Sequence, residues 1–355
     1  MASIAVFLHT QKVKIIEHEA PRTHDVNDVY TELLVLPVDT LSSGRAGSEK
    51  ESHMSSNTTQ IMIIAFGMLF VVLNSLGLGL RIQVGHMLAD FFQNWKFAVW
   101  VILINFVILP ALIIGFAALV PIPRDIKIGY CIVALAAGAP FAPLLTRLAK
   151  GNVEMATTLM VILIVVTIIV IPIALSPTVT ALDPQVPRIP IWDVAWPLLL
   201  FMALPLVVGC LVRLRYPDPA LKAARPLQII SIASVLMYVN VFIVADWNQF
   251  VSAWGSGSYL VSFGVPILGI AFGSLISLKN VGNRHASVIT TAQRSVSGAI
   301  VVTIFNYTQP LANVSVTIIN TLGILILLVI SLEWGRAQAH KSSVAETAVA
   351  AEQVS

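Results

Sequence analysis

The sequence predicts an all-α polytopic membrane protein with nine transmembrane helices. Of its 355 residues 57% are hydrophobic and only 11% are charged, which excludes an ordinary soluble globular chain. The hydrophobic residues form long continuous runs, whereas the strands of a transmembrane β-barrel alternate between apolar and polar residues. The net charge of +3 carries no indication of nucleic-acid binding, because the basic residues lie between the apolar runs.

The nine apolar segments are each long enough to cross a bilayer, which takes about 20 residues of helix. Numbered one to nine in chain order, they are approximately Gln60–Leu80, Trp95–Val120, Ile126–Leu148, Val153–Pro177, Ala195–Val212, Leu227–Ala245, Ser258–Leu278, His285–Tyr307 and Leu311–Trp334. The sequence therefore predicts one nine-helix domain over residues 59–334.

The two ends of the chain are polar. Residues 1–58 are predicted to be a flexible leader, with Met54 as a candidate start of translation. Residues 335–355 are rich in small and polar residues and are predicted to be a disordered tail. The two cysteines, Cys131 and Cys210, lie within apolar segments, so no disulfide framework is expected.

Lysine and arginine are distributed unequally between the two sets of loops. Three lie after segments two, four, six and eight: Arg124, Lys127 and Arg188. Twelve lie after segments one, three, five and seven and in the tail: Arg81, Lys96, Arg147, Lys150, Arg213, Arg215, Lys222, Arg225, Lys279, Arg284, Arg336 and Lys341. The positive-inside rule then predicts a cell membrane protein, plasma or inner, with its amino terminus outside and its carboxyl terminus in the cytoplasm.

Two segments are predicted to be discontinuous. Segment three contains Pro140 and Pro143, and proline removes a backbone donor and clashes with the preceding turn. Segment eight is interrupted by a polar cluster that ends at Gly298. Each is the third segment of a four-helix run, one to four and six to nine, and the two runs start on opposite sides of the membrane. Interrupted segments at corresponding positions of two inverted repeats indicate a transport site near the bilayer midplane.

Arg294, in the polar part of segment eight, is the only charged residue placed deep inside an apolar segment. A charge at the centre of a bilayer costs roughly 2.5–3.5 kcal/mol on insertion scales, so such residues usually line a pathway or a cavity. The alternative is that its long side chain reaches an interface or binds neighbouring carbonyl groups.

Three motifs carry a resemblance to a known family. They are Asn105-Phe106-Val107-Ile108-Leu109-Pro110, Thr146-Arg147-Leu148-Ala149-Lys150-Gly151-Asn152 and Thr291-Ala292-Gln293-Arg294. Over residues 60–335 the chain resembles the bile acid–sodium symporter family. The resemblance implies a core domain of segments two, three, four, seven, eight and nine, and a panel of segments one, five and six. It also implies that segments three and eight cross at their broken centres and that substrate binds between panel and core.

The chain departs from this family at the positions that bind sodium. Sodium requires oxygen ligands, carboxylates foremost. Where the family has such side chains, this sequence has Ala142, Pro143, Ala156, Met160 and Ile289. At an effective dielectric constant of about 20, two unit charges 4 Å apart also repel by roughly 4 kcal/mol, so Arg294 disfavours a sodium ion beside it. Sodium is therefore an uncertain partner, and the Arg294 guanidinium is a candidate substitute for the ion.

The sequence thus predicts a secondary transporter of an organic anion, working by alternating access. Substrate contacts are predicted at Arg294, Gln293, Thr290, Thr291, Asn105 and Thr146. No enzyme, cofactor, resident metal or nucleic-acid partner is expected, since no nucleotide, HExxH or paired intramembrane aspartate motif is present. Two alternatives stay open: a carrier of another solute, such as a metalloid oxyanion or a neutral organic molecule, and a non-transporting membrane sensor on the same scaffold.

Overall fold

The computed structural model of the protein describes residues 43–83, 85, 95–276, 281–307 and 310–354, and every regular element in these ranges is a helix. The predicted leader lies largely outside them. In chain order the α-helices are α1 (Ser43–Gly79), α2 (Trp95–Leu103), α3 (Leu109–Leu119), α4 (Arg124–Leu135), α5 (Ala142–Leu148), α6 (Val153–Leu182), α7 (Ile191–Leu198), α8 (Leu204–Arg215), α9 (Pro217–Ala245), α10 (Trp247–Trp254), α11 (Ser258–Ile276), α12 (Val281–Ala292), α13 (Val296–Asn306) and α14 (Pro310–Val354). The chain divides into two compact units, residues 1–57 and residues 58–355. The architecture described here is that of the second unit.

Eight helical stretches among the described residues are long and apolar enough to cross a membrane. They are Thr58–Gly79, Val99–Leu119, Val153–Leu182, Ile191–Arg215, Pro217–Ala245, Ser258–Ile276, Val281–Asn306 and Leu311–His340. These correspond to eight of the nine predicted segments, and the prediction of an all-α multi-pass membrane protein is confirmed. Segment three is present as two short helices, α4 and α5, neither of which is long enough to cross alone.

Two of the spans contain a π-helical turn directly before a proline. These turns are Ile104–Ile108, followed by Pro110, and Leu199–Ala203, followed by Pro205. Proline lacks an N–H group and its ring clashes with the carbonyl group of the preceding turn, and a wider turn accommodates both defects. The spans therefore continue across their prolines without breaking.

The second discontinuous span, α12 with α13, occupies the middle of the bundle. Of an apolar stretch of 18 residues within Val281–Asn306, 89% is buried inside the protein. The same share is 28% for a stretch of this length within Pro217–Ala245. Helix α11 packs so closely along α12 that a Cβ atom added to Gly273 would lie only 2.7 Å from the Cα atom of Val288. Helix α4 packs against α14, α3 and α6. Both interrupted segments are thus enclosed by protein on several sides.

The helices at the two ends extend beyond the predicted spans. Helix α1 begins at Ser43, within the predicted leader, and α14 continues to Val354, through the predicted disordered tail. The division of the chain into a leader (1–58), a nine-helix domain (59–334) and a tail (335–355) stays a prediction.

Candidate functional site

The first interruption lies between α4 and α5, at residues 136–141. Gly138 has a φ angle of +83°, a left-handed conformation that glycine adopts without steric cost. The hydroxyl group of Thr167 on α6 binds the Ala137 peptide twice, accepting from its N–H at 3.0 Å and donating to its C=O at 2.9 Å. Because buried backbone groups need partners, Thr167 stabilises the break.

The second interruption comprises Gln293, Arg294 and Ser295, between α12 and α13. Ser295 caps α13, and its hydroxyl group accepts a hydrogen bond from the N–H of Gly298 at 3.4 Å. The N–H of Ser295 also donates to the carbonyl oxygen of Ala136 at 3.0 Å. The two interruptions are therefore in direct contact, and we call this region the crossing.

The Arg294 side chain fills the centre of the crossing and is only 2% exposed. Its Nε donates to Val133 O at 3.1 Å, and its Nη2 donates to Ala134 O and, at 3.3 Å, to Asn105 O. Its Nη1 donates to Asn105 Oδ1 at 3.3 Å. No carboxylate forms an ion pair with it in the part of the chain that the structure describes. All four of these hydrogen bonds end on neutral oxygens.

Asn105 joins this arrangement from the π-helical turn. Its Nδ2 donates to Val101 O at 3.0 Å and to Thr291 Oγ1 at 3.4 Å. Three of the predicted substrate contacts, Arg294, Asn105 and Thr291, thus come together and bind one another.

The other three predicted contacts are buried but do not join this hydrogen-bonded group. Thr290 donates to Ala286 O of its own helix at 2.6 Å. The side-chain amide of Gln293 and the hydroxyl group of Thr146 find no hydrogen-bond partner among the described residues. The assignment of all six residues to substrate binding stays a prediction.

A polar cavity of about 210 Å³ lies beside the first interruption, between α1, α5, α6 and α9. Its apolar lining residues are Leu78, Pro140, Phe141, Pro143, Leu144, Met160 and Ile232, and its polar lining residues are Asn74, Arg81, Arg147, Thr157 and Gln228. None of the six predicted contacts is among them. Among the described residues, two arginines and no carboxylate line the cavity, so it favours an anion.

The charge of Arg147 acts on Arg81, the other arginine of this cavity. Burial, and secondarily the positive charge of Arg147, lowers the pKa of Arg81 from its usual value. The Nη2 of Arg81 donates to Ala224 O at 3.3 Å, which orients the side chain from α9. A bound anion relieves the repulsion between two like charges. Sequence reasoning missed both residues because it counted them as loop charges, although Arg147 lies inside one of the three quoted motifs.

A comparison with models of protein families finds a match. A family model described as Sodium Bile acid symporter family matches residues 66–253, slightly more than half of the chain. The matched region includes the π-helical turn with Asn105, the first interruption and the lining of the cavity on α1, α5, α6 and α9. It ends before the second interruption. A search of the curated proteins finds no match.

Proposed function

Because the chain belongs to the sodium bile acid symporter family, we propose that it is a secondary transporter that moves an organic anion across a membrane by alternating access. Family membership, predicted from three short motifs, is confirmed, and with the apolar helices it indicates a multi-pass membrane transporter. That the substrate is an organic anion and that it moves by alternating access is our proposal. We propose no enzymatic activity for the chain.

One observation carries the choice of an anion: Arg81 and Arg147 line the same cavity, and no carboxylate lines it within the part of the chain that the structure describes. The planar guanidinium group presents paired N–H donors that match both oxygens of a carboxylate. The amides of Asn74 and Gln228 and the hydroxyl group of Thr157 supply neutral hydrogen bonds. The apolar wall around Phe141 and Met160 suits the organic part of such a molecule. A neutral solute would bring no negative charge to these two arginines.

The position of the cavity supports the alternating-access part of the proposal. We take α4 and α5 together as the ninth membrane crossing, which completes two inverted four-helix runs. In the proposed arrangement the panel consists of α1, α7–α8 and α9. The cavity then lies between two panel helices, α1 and α9, and two core helices, α5 and α6. Gly79 and Gly209 let α1 and α8 approach so closely that a Cβ on Gly79 would lie 2.9 Å from the Gly209 Cα. Such packing suits a panel that moves as one body relative to the core.

The proposed orientation places the cavity at the cytoplasmic side. Arg81 follows segment one and Arg147 ends segment three, and the excess of lysine and arginine assigns both positions to the cytoplasm. The amino terminus is then outside and the carboxyl terminus inside the cell. In this arrangement the structure corresponds to a state that exchanges substrate with the cytoplasm.

The test is uptake by the purified protein in proteoliposomes. The compounds are a bile acid, a short keto acid, a metalloid oxyanion and a neutral sugar of similar size. We expect uptake of at least one organic anion and none of the sugar. Arg81→Gln and Arg147→Gln should each lower that uptake at least about tenfold, because a hydrogen bond to a charged group contributes about 1.5–3 kcal/mol and 1.4 kcal/mol is tenfold.

The control variant is Arg225→Gln, which removes an exposed arginine of α9 that does not line the cavity. It should transport at the wild-type rate. Preferred uptake of the metalloid oxyanion or the sugar would support another solute. If a folded preparation moved no compound, the alternative of a non-transporting sensor would be favoured.

A further inference from the structure

Two of the oxygens around Arg294, Asn105 O and Ala134 O, lack their usual helical partners, and the sequence explains why. Pro110 has no N–H, and the N–H of Leu109 donates to Ile104 O in the π-helical turn, so Asn105 O has no main-chain donor. At the end of α4 the N–H of Ala137 donates to Thr167, and Val133 O accepts instead from the N–H of Ala136 at 3.1 Å. Ala134 is the last residue but one of α4, so no helical N–H follows to bind Ala134 O. Asn105 O and Ala134 O therefore need a donor from elsewhere.

The environment of these oxygens selects a cation. The carbonyl end of a helix carries roughly half a negative charge, and Val133 O and Ala134 O lie at that end of α4. Two further oxygens, O and Oδ1 of Asn105, approach the guanidinium group from the π-helical turn. Buried carbonyl and amide oxygens around one point, without a carboxylate, form a ligand set for a single positive charge.

We propose that this arrangement is a cation-binding site that the Arg294 guanidinium occupies permanently as a tethered ion. The bound guanidinium holds α4, the π-helical turn and the second interruption together at the crossing. Shortening the side chain should open the site to a small free monovalent cation. This inference is independent of the proposed function, because its main consequence is for stability and not for transport.

The experiment uses the full-length protein in detergent and measures its thermal unfolding midpoint. Arg294→Ala should unfold at least about 5 °C below the wild type. About 10 mM guanidinium chloride should recover a large part of that loss, whereas it leaves the wild type unchanged. Urea at the same concentration is the control, since it has a similar planar shape and no charge. Sodium chloride, with choline chloride as its control, reports whether the opened site also accepts sodium.

Two further variants separate charge from shape. Arg294→Lys keeps a tethered cation, and Arg294→Met keeps a long side chain without charge. We expect the unfolding midpoint to fall in the order wild type, Arg294→Lys, Arg294→Met. If Arg294→Ala gives no folded protein, this comparison decides.

Three results would overturn the proposal. The first is stabilisation of Arg294→Ala by guanidinium no greater than that by urea. The second is an equal loss of stability in Arg294→Lys and Arg294→Met, which would mean that the shape of arginine matters and its charge does not. The third is an Arg294→Met protein as stable as the wild type that has lost only uptake, which would favour the substrate-binding role predicted from the sequence.

Discussion

Arg294 contacts Asn105 twice, through its side-chain oxygen and through its main-chain oxygen, with both nitrogen–oxygen distances at 3.3 Å. The two residues are 189 positions apart in the chain. Asn105 lies in the π-helical turn, and Arg294 lies in the second interruption. One hydrogen bond depends on the asparagine side chain, and the other depends on Pro110, which leaves the main-chain oxygen without a helical donor. The contact therefore joins a local distortion of one span to the buried charge of another.

Replacing Asn105 by alanine should destabilise the protein. The substitution removes an acceptor of Arg294 and the amide that bridges to Thr291, so a buried charged group loses a partner at a cost of about 1–3 kcal/mol. The measurement is the unfolding midpoint in detergent, which should fall by several degrees. The control is Asn240→Ala, because the exposed Asn240 amide donates to Leu236 O of its own helix. Equal shifts in the two variants would contradict a special role for Asn105.

Transport should not depend on sodium. A tethered guanidinium at the crossing repels a second cation. The resemblance also implies that five sodium-ligand positions of the family, among them Ala142 and Ile289, carry apolar side chains in this chain. The measurement is uptake of an accepted substrate with sodium replaced by potassium or choline at fixed pH and osmolarity. We expect a change of less than about twofold. A tenfold or greater decrease would mean that other oxygens rebuild a sodium site, and the argument from lost ligands would be wrong.

Filling the polar cavity should block transport without unfolding the protein. Ile232 lines the cavity from α9, and Ile232→Trp places an indole ring in a space of about 210 Å³. Uptake should fall at least about tenfold, while the elution profile and unfolding midpoint stay near those of the wild type. Ile229→Trp is the matched control, since Ile229 is on the same helix and 61% exposed. Wild-type uptake by Ile232→Trp would exclude this cavity from the substrate path.

The orientation should place Ala223 in the cytoplasm and Ser252 outside the cell. Both residues are exposed, at opposite ends of α9 and its continuation into α10. Single cysteines at these positions, in a background without Cys131 and Cys210, are exposed to a membrane-impermeant thiol reagent in intact cells. We expect labelling at Ser252→Cys alone. Labelling at Ala223→Cys and none at Ser252→Cys would reverse the topology.

The helical architecture and the approximate position of both interruptions followed from the sequence, because hydrophobic length, the missing N–H of Pro140 and Pro143 and the polar cluster of segment eight are all local features of the chain. For segment seven the boundaries also agree closely, since Ser258–Leu278 was predicted and Ser258–Ile276 is observed. The burial of Arg294 was predicted for the same reason, since a charge inside an apolar segment is visible without any partner. Family membership also followed, from short motifs that lie within single segments.

Tertiary structure alone decided what these residues contact. Binding of Arg294 to neighbouring carbonyl groups was one of two alternatives left open by the sequence. The sequence does not indicate that these carbonyl groups belong to α4, because main-chain acceptors carry no sequence signal and become available only where a helix ends. The cavity with Arg81 and Arg147 was missed for a related reason. Each arginine on its own has the position of an ordinary loop charge, and the positive field arises only where packing of α1 and α9 against α5 and α6 brings both to one cavity. Hydrophobicity and backbone chemistry are properties of neighbours in the chain, whereas a binding site is a property of neighbours in space.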